Sequence, residues 1–397
     1  MTPTTPFLSP DDPRTARQPR RRCCFAFRAL FVLLSFLGGT SATLPPVHGA
    51  LRTEDGLPAA AIRAIEELVE GERKRQNIPG LSVTVVREKR LAWSRGFGRA
   101  DLENGVPATP ATVYRLGSIS KPVTAVAVMQ LVERGKIDLD APVQTYVPAF
   151  PAKSGPVTVR QLLAHQGGVR HYNSPSEFDS TRHYASLADA LAPFKDDPLL
   201  HEPGTKYLYT THGYTLLGAV VEGASGERYT DYIAKNVFAP AGMTTARADD
   251  VFALIPHRAQ GYRKNSKGDL ENSALADTSN KIPGGGLCST ADDLAKFAVA
   301  LMTDRLVKPE TRAQQWTLQK TKDGAVTEYG LGWRVSARNG RREVHHGGAQ
   351  QRVRTFLYLL PDEGVAVAVM CNLEGASLTA LTQKIADAAL LPAEPGK

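Results

Sequence analysis

Residues 114–148 read YRLGSISKPVTAVAVMQLVERGKIDLDAPVQTYVP, and the first half of this stretch decides the fold. From Val123 to Val132 the sequence is apolar on nearly every side of a helix, a pattern that is typical of a helix buried all round. Pro122 is compatible with the first helical turn, where a proline costs no hydrogen bond. The pattern therefore predicts a buried helix over residues 118–134.

Two polar residues, Ser118 and Lys121, open this apolar helix. Residues three apart share a helical face, so the lysine amine is expected near the serine hydroxyl. A serine hydroxyl is a weak nucleophile until a neighbour takes its proton, and a buried lysine can lose its charge and act as that base. Backbone amides at the helix N-terminus favour developing negative charge. About one Ser-x-x-Lys pair is expected by chance in a chain of this length, so the pair alone is weak evidence. It becomes informative because it lies at the start of an apolar helix that is expected to be buried.

The segments on either side of this helix carry strand and helix patterns. Residues 58–76 have the spacing of an amphipathic helix, and two strand-like runs follow around the turn REKR. A helix is predicted over residues 291–302 with Thr290 as its N-cap, and another over residues 378–391. The predicted strands are Leu81–Val86, Leu91–Phe97, Tyr329–Ser336, Glu343–His346, Arg354–Leu359 and Val365–Cys371.

Strand patterns thus occur at both ends of the chain, whereas residues 151–285 are richer in Pro, Gly, Asp and His and hold short helical segments. This arrangement predicts an α+β fold in which an antiparallel sheet is flanked by helices. We expect one discontinuous domain over residues 51–397. Its sheet part is formed by residues 51–150 and 286–397, and residues 151–285 form an inserted, mainly helical part.

The first 42 residues have the organisation of a targeting segment. A polar leader ends in three arginines at 20–22, an apolar stretch runs from Cys23 to Leu37, and small residues follow up to Ala42. The stretch is shorter than the roughly 20 apolar residues that span a membrane, and it fits the apolar region of a signal peptide. We expect an exported protein, periplasmic or secreted. The alternative is an uncleaved segment through which the protein contacts the membrane.

The charge of the remaining chain argues against a nucleic-acid partner. The chain carries 48 basic and 40 acidic residues, and residues 1–42 account for six arginines and two aspartates, which leaves a net charge of +4. No basic run in the remainder is typical of nucleic-acid binding. We therefore expect a small-molecule or peptide substrate.

Cysteine usage leaves two alternatives open for Cys288 and Cys371, which either form a disulfide or stay as buried free thiols. No Cys/His cluster has the spacing of zinc ligands. We expect neither a metal nor an organic cofactor.

The motif YRLGSISK and the helix after it resemble the serine β-lactamase and penicillin-binding protein superfamily. The resemblance is strongest to the class C β-lactamase-related branch, which includes esterases, D-aminopeptidases and LACTB-like proteins. It covers roughly residues 58–390 and implies the β-lactamase/transpeptidase-like fold with an acylated serine. Further landmarks match in order: VRQLLAHQGGV at 159–169, PGTKYLYTTHGYTLLGAVVEGASG at 203–226, PGGGLCSTADDLAKFA at 283–298 and HHGGA at 345–349.

The resemblance implies a role for a second segment, Tyr209-Thr210-Thr211, onto which the family's Tyr-x-Asn motif maps. The tyrosine is implied as a general base or proton shuttle, and a nearby Lys121 ammonium would lower its pKa. Thr211 replaces the usual asparagine amide with a hydroxyl, as in the LACTB-like branch. Recognition of a substrate amide at this position is therefore in doubt.

The family's Lys-Thr-Gly or His-x-Gly motif maps onto His345, His346 and Gly347, and the resemblance implies an oxyanion hole formed by the amides of Ser118 and Gly348. His346 replaces a hydroxyl that helps to bind a substrate carboxylate, so efficient β-lactam recognition is not expected. A structural role is the alternative for whichever of the two histidines points away from the cleft. Three further histidines are interpreted as structural: His165, His171 and His212.

These residues favour a serine hydrolase that forms an acyl-enzyme with an ester or amide substrate, as an esterase or a peptidase-like enzyme would. A β-lactamase or D-Ala carboxypeptidase is the enzymatic alternative. The non-enzymatic alternative is a degenerate module that binds peptidoglycan or a partner protein. The joint presence of Ser118, Lys121 and Tyr209 favours an enzyme.

Overall fold

The computed structural model describes residues 56–392, so the predicted targeting segment lies outside the described residues. Within this range, a seven-stranded antiparallel sheet has the order β3-β2-β1-β12-β11-β10-β9. No helix in residues 56–392 is long and apolar enough to cross a membrane. The strands are β1 (Gly80–Arg87), β2 (Arg90–Asp101), β3 (Val106–Pro107), β4 (Tyr114–Arg115), β5 (Arg247–Ala248), β6 (Tyr262–Lys264), β7 (Leu270–Asn272), β8 (Leu287–Ser289), β9 (Arg334–Arg338), β10 (Arg341–Gln350), β11 (Val353–Leu360) and β12 (Val365–Cys371).

The two ends of the chain meet at the centre of this sheet. Strand β1 pairs with its sequence neighbour β2 on one side and with β12 on the other, where Val83 lies opposite Val369. Both strands are buried along nearly their whole length, and β1 buries Ser82 and Thr84 besides its apolar residues. The α+β fold with an antiparallel sheet flanked by helices is therefore confirmed.

Helices cover both faces of the sheet. The amphipathic helices α1 and α12 bury residues such as Ile65 and Ile385 against one face. The helices α2, α6 and α10 belong to the larger hydrophobic core on the other face. The helices are α1 (Ala59–Gln76), α2 (Ser120–Glu133), α3 (Val159–Leu163), α4 (Pro175–Phe178), α5 (Leu187–Leu191), α6 (His212–Ser225), α7 (Tyr229–Ile233), α8 (Ala239–Ala241), α9 (Ile282–Gly285), α10 (Ala291–Met302), α11 (Pro309–Gln315) and α12 (Thr379–Ala389).

Most predicted elements are present, although the strands predicted over residues 91–97 and 343–346 are longer, at Arg90–Asp101 and Arg341–Gln350. Helix α10 begins as predicted after Thr290, whose hydroxyl accepts a hydrogen bond from the amide of Asp293 at 3.2 Å. The predicted strand Tyr329–Ser336 is wrong in its first half. There Gly330 donates its amide to the Trp333 carbonyl and Gly332 adopts a φ of +92°, which turns the chain before β9 begins.

Cys288 and Cys371 are buried free thiols, so no disulfide joins them.

Helix α2 is the buried central helix that its sequence predicts. All twelve residues from Ser120 to Leu131 are buried. The hydroxyl of Thr124 donates to the Pro283 carbonyl at 2.6 Å, which ties the helix to the segment before β8. A 3-10 turn, Gly117–Ile119, precedes α2 and packs against the middle of β10. The fold therefore presents the N-terminal end of α2 to the free edge of the sheet.

Candidate active site

Ser118 and Lys121 meet at the start of α2, as their spacing predicts. Ser118 lies in the 3-10 turn and its side chain is partly exposed, whereas Lys121 is fully buried one turn later. The Lys121 Nζ lies 3.1 Å from the Ser118 Oγ. An accessible hydroxyl and a buried amine are thus in hydrogen-bond contact.

Lys121 has three neighbours that suit a neutral amine. Its Nζ lies 2.7 Å from the Gly284 carbonyl oxygen and 3.2 Å from the Thr211 Oγ1, besides the contact with Ser118. The amine donates to all three oxygens in the structure. Its neutral form, with two N–H donors and one lone pair, can donate to Gly284 and Thr211 and accept from Ser118. Burial, followed by the charge of Lys281, holds the pKa of Lys121 well below its usual value of 10.5.

Tyr209 completes the group from the segment that leads into α6. The Lys121 Nζ lies 4.6 Å from the centre of the Tyr209 ring, and the phenol is a hydrogen-bonding neighbour of the Ser118 side chain. Burial raises the pKa of Tyr209 above its usual value of 10, and the interaction with Ser118 only partly offsets this rise. The expectation of a lowered pKa is therefore wrong, because the effect of burial on the phenol exceeds that of its neighbours. The phenol is protonated at neutral pH.

Two histidines hold the Tyr209–Thr211 segment in place. The Nδ1 of His165 accepts a hydrogen bond from the Thr210 amide at 3.2 Å, and the Nδ1 of His171 accepts one from the Thr211 amide at 3.1 Å. Burial lowers the pKa of His171 to about 4 and that of His165 well below 6.5, which keeps both rings neutral and able to accept. Their structural interpretation is confirmed, although the sequence did not indicate which segment they position.

His212 has a structural position as well. Its ring stacks on Phe194 with centroids 4.3 Å apart and lies edge-on to Tyr172 with centroids 5.2 Å apart. Burial lowers its pKa to about 3. The structural interpretation of His212 is therefore confirmed.

The edge of β10 lies directly over the turn that carries Ser118. This strand pairs with β9 only as far as His345, and residues 346–350 pair with β11 alone. A methyl group at Gly348 would lie 2.1 Å from the Leu116 carbonyl oxygen, so only glycine permits this approach. The Thr355 hydroxyl donates to the same carbonyl at 2.8 Å and fixes the two segments together. Gly347 and Gly348 therefore border the group formed by Ser118, Lys121 and Tyr209.

The two adjacent histidines of β10 lie on opposite faces of the sheet, since side chains alternate along a strand. His346 is buried on the side of the cleft, where its Nε2 lies 2.8 Å from the Tyr329 hydroxyl and its ring 6.3 Å from that of Tyr209. His345 stacks on Phe356 on the other face, with centroids 5.5 Å apart. The structure therefore does not bring His345 to the cleft, and the expectation that it contacts substrate is corrected in favour of His346.

Lys281 is a buried residue near this site that the sequence did not single out. Its Nζ lies 2.5 Å from the Phe178 carbonyl oxygen and close to the faces of the Tyr172 and Phe178 rings. Its charge is one of the two causes that lower the pKa of Lys121. Lys281 lies just before α9, the helix that contains Gly284, whose carbonyl contacts Lys121. This position depends on long-range packing that no local sequence pattern indicates.

Replacing Lys281 with methionine is expected to stabilise the protein in a pH-dependent way. Burial lowers the folded-state pKa of Lys281 to about 7 from 10.5, so the unfolded chain binds an additional proton between these values. The free-energy cost of burying the charged Lys281 amine on folding is therefore fully present below about pH 7, and it disappears as the pH rises toward 10.5. We expect Lys281→Met to raise the melting temperature at pH 6 by about 2–5 °C, with a smaller gain at pH 10. Lys235→Met, which removes an exposed lysine, is the control, and a gain independent of pH would contradict the assignment.

Among residues 56–392, no group of three or more His, Cys, Asp or Glu side chains has an arrangement that could hold a metal ion.

Comparison with known proteins agrees with this geometry. The human serine β-lactamase-like protein LACTB, mitochondrial, is 31% identical, and the match covers 83% of this chain and 79% of that protein. An octameric penicillin-binding protein homologue from Pyrococcus abyssi is 26% identical with a TM-score of 0.71, over 81% of this chain and 75% of that one. A D-amino acid amidase from Ochrobactrum anthropi SV3 shares the fold with a TM-score of 0.71 at 22% identity, over 83% of this chain and 97% of that one.

The model of the Beta-lactamase family matches residues 63–390, which is most of the chain and includes every residue of the site described above. The resemblance to serine β-lactamases and penicillin-binding proteins that the motifs indicate is thus confirmed, and the chain belongs to the Beta-lactamase family.

Proposed function

We propose that this protein is a serine hydrolase that cleaves an ester or amide through an acyl-enzyme on Ser118. The observation that carries the proposal is the 3.1 Å contact between the Ser118 hydroxyl and the amine of Lys121, whose pKa burial holds well below its usual value. A neutral amine in contact with a hydroxyl is the arrangement that general-base activation of a nucleophile requires.

In the proposed reaction, the Ser118 Oγ attacks the substrate carbonyl carbon while its proton moves to the Lys121 Nζ. The negative charge on the carbonyl oxygen is held by the amides of Ser118 and Gly348, whose segments lie against each other. The protonated Tyr209 phenol gives its proton to the leaving oxygen or nitrogen and recovers one from Lys121. Water then attacks the acyl carbon, gives its proton to the same base, and releases the acid as the proton returns to Ser118.

An ester or an unstrained amide is a better candidate substrate than a β-lactam. The Thr211 hydroxyl is in contact with Lys121 and is committed to the base rather than to a substrate amide. His346, where a carboxylate-binding hydroxyl would stand, is in contact with Tyr329. Both groups that would recognise a β-lactam are therefore engaged within the protein.

A substrate panel tests this proposal. We expect hydrolysis of short-chain p-nitrophenyl esters at a rate at least about tenfold above that of nitrocefin, with D-aminoacyl anilides as the amide arm. Faster turnover of nitrocefin would assign a β-lactamase instead. Binding of peptidoglycan fragments without turnover of any arm, unchanged in Ser118→Ala, would assign a non-catalytic module.

The two histidines of β10 provide a matched pair of variants. His346→Asn removes the contact with Tyr329 beside Tyr209, and we expect kcat/KM for the best ester to fall by about 10-fold or more. His345→Asn changes the other face of the sheet, and we expect activity within about twofold of the wild type. Steady-state kinetics of both variants measures the difference. A larger loss in His345→Asn would show that the cleft lies on the opposite face.

We further propose that residues 1–42 direct the protein out of the compartment where it is made. The support is the order of basic leader, short apolar stretch and small residues in the sequence. N-terminal sequencing of the protein recovered from its native membrane and soluble fractions tests this. A mature chain that begins near residue 43 is expected, and an intact N-terminus in the compartment of synthesis would contradict export.

A further inference from the structure

A second group of charged side chains is buried just before the active-site turn. Arg115, three residues before Ser118, is only 7% exposed, and its Nε donates to the Asp249 Oδ2 at 2.6 Å. Arg258 contacts the other oxygen of Asp249 at 3.1 Å. Arg352, in the turn between β10 and β11, lines the same small cavity as these three residues. Three guanidinium groups therefore surround one carboxylate.

Three donors of this arginine group have no partner among the described residues. They are the Nη1 of Arg115, the Nε of Arg258 and the Nε of Arg352, and all three atoms are buried. Each oxygen of Asp249 contacts one arginine, and neither oxygen is within hydrogen-bonding reach of these three donors. Buried N–H groups without an acceptor cost free energy, and buried like charges repel each other. The arrangement is complete only with an additional acceptor that carries negative charge.

We propose that the arginine group binds a chloride ion in the cavity bordered by Arg115, Arg258 and Arg352. The cavity volume, about 10 Å³, is enough for about one water-sized species, and a monatomic anion is the smallest charged acceptor that can enter it. Water fits by size but brings no charge to a group in which the guanidinium ions outnumber the carboxylates. A halide supplies one negative charge and accepts several N–H donors at once.

The charge count around the cavity supports a monovalent anion. Glu374 is the next carboxylate, and it accepts the backbone amide of Arg352 at 2.9 Å rather than the guanidinium. Burial, together with the charges of Arg115 and Arg258, lowers the pKa of Arg352. Cys288, which also lines the cavity, stays a neutral thiol because burial raises its pKa to about 12. One bound chloride would therefore leave the group close to neutral.

The chloride site also connects to the active site, although it does not depend on the proposed hydrolysis. Arg115 belongs to β4, and the residue after it, Leu116, donates its amide to the Leu287 carbonyl at 2.7 Å on the way to Ser118. The positive charge of Arg115 also lowers the pKa of Lys281. Chloride at Arg115 is expected to stabilise β4, which leads into the 3-10 turn that carries Ser118.

Thermal unfolding of the purified protein tests the site in solution. The melting temperature is measured in increasing sodium chloride and in sodium gluconate at equal ionic strength, because gluconate is too large for the cavity. We expect a saturable rise of about 2–4 °C that is specific to chloride. Crystals grown in sodium bromide should show an anomalous peak within hydrogen-bonding distance of Arg115. Equal melting in the two salts, or only water in the cavity of bromide-grown crystals, would overturn the proposal.

Arg352→Gln is the informative variant, because its guanidinium makes no hydrogen bond to the described residues and its loss leaves Asp249 paired. We expect the chloride-dependent rise to fall by at least about half in this variant. Arg354→Gln removes an equivalent charge two residues away, outside the cavity lining, and should keep the full rise. The same chloride response in both variants would also overturn the proposal.

Discussion

Ser118→Ala is expected to abolish covalent labelling by a fluorophosphonate and to lower kcat for the best ester substrate by about 10³-fold or more. Among residues 56–392, two hydroxyls contact the Lys121 amine, and that of Ser118 is partly exposed whereas Thr211 is buried. Removing an acylated nucleophile eliminates the reaction path, and what remains comes from binding and oxyanion stabilisation alone. Intact-mass analysis and steady-state kinetics measure the two effects.

Ser120→Ala is the matched control for this variant. The Ser120 hydroxyl lies two residues away, is fully buried, donates to the Gly117 carbonyl at 2.8 Å and accepts the Leu287 amide at 3.3 Å. Its loss leaves a buried amide without a partner, which costs about 1–3 kcal/mol of stability but removes no reacting group. We expect a lower melting temperature and an unchanged stoichiometry of labelling. Labelling that persists in Ser118→Ala and disappears in Ser120→Ala would reassign the nucleophile.

Lys121→Met is expected to lower kcat/KM by about 10²–10⁴-fold, which is the range for loss of a general base. Methionine fills the space of the buried side chain without a titratable group. Lys121→Arg separates two roles, because a guanidinium is always charged and cannot accept the serine proton. We expect both variants to be inactive. If Lys121→Arg retained activity, the residue would act through positive charge and not as a base.

The pH dependence of the wild type follows from the same lysine. The pKa of Lys121 lies well below 10.5 because of burial and the charge of Lys281, so the amine is neutral and active over a range that extends below pH 10.5. As the pH falls through the pKa of Lys121, the amine gains a proton and kcat/KM decreases. Lys281→Met removes a neighbouring charge and should move this acidic limb to higher pH. An unchanged limb in that variant would show that the two amines do not interact.

Local sequence patterns were sufficient for most of the secondary structure. Helix α2 and the strands β1 and β12 could be predicted from their high content of apolar residues, because such segments are buried in a folded protein. The pattern failed at residues 329–333, where Gly330 and Gly332 turn the chain although the alternating Tyr329, Leu331 and Trp333 suit a strand. Apolar residues indicate that a segment is buried. They do not distinguish a buried turn from a buried strand.

The sequence by itself determined the contact between Ser118 and Lys121, because a helix places residues three apart on one face regardless of the rest of the protein. The register of β10 was decided only by the tertiary structure: adjacent histidines must point to opposite faces, and which one faces the cleft depends on how the strand pairs with β9 and β11. The state of Lys121 and Tyr209 was likewise decided by folding. Their pKa values depend on burial and on charges such as Lys281, which come from distant parts of the chain and have no local pattern.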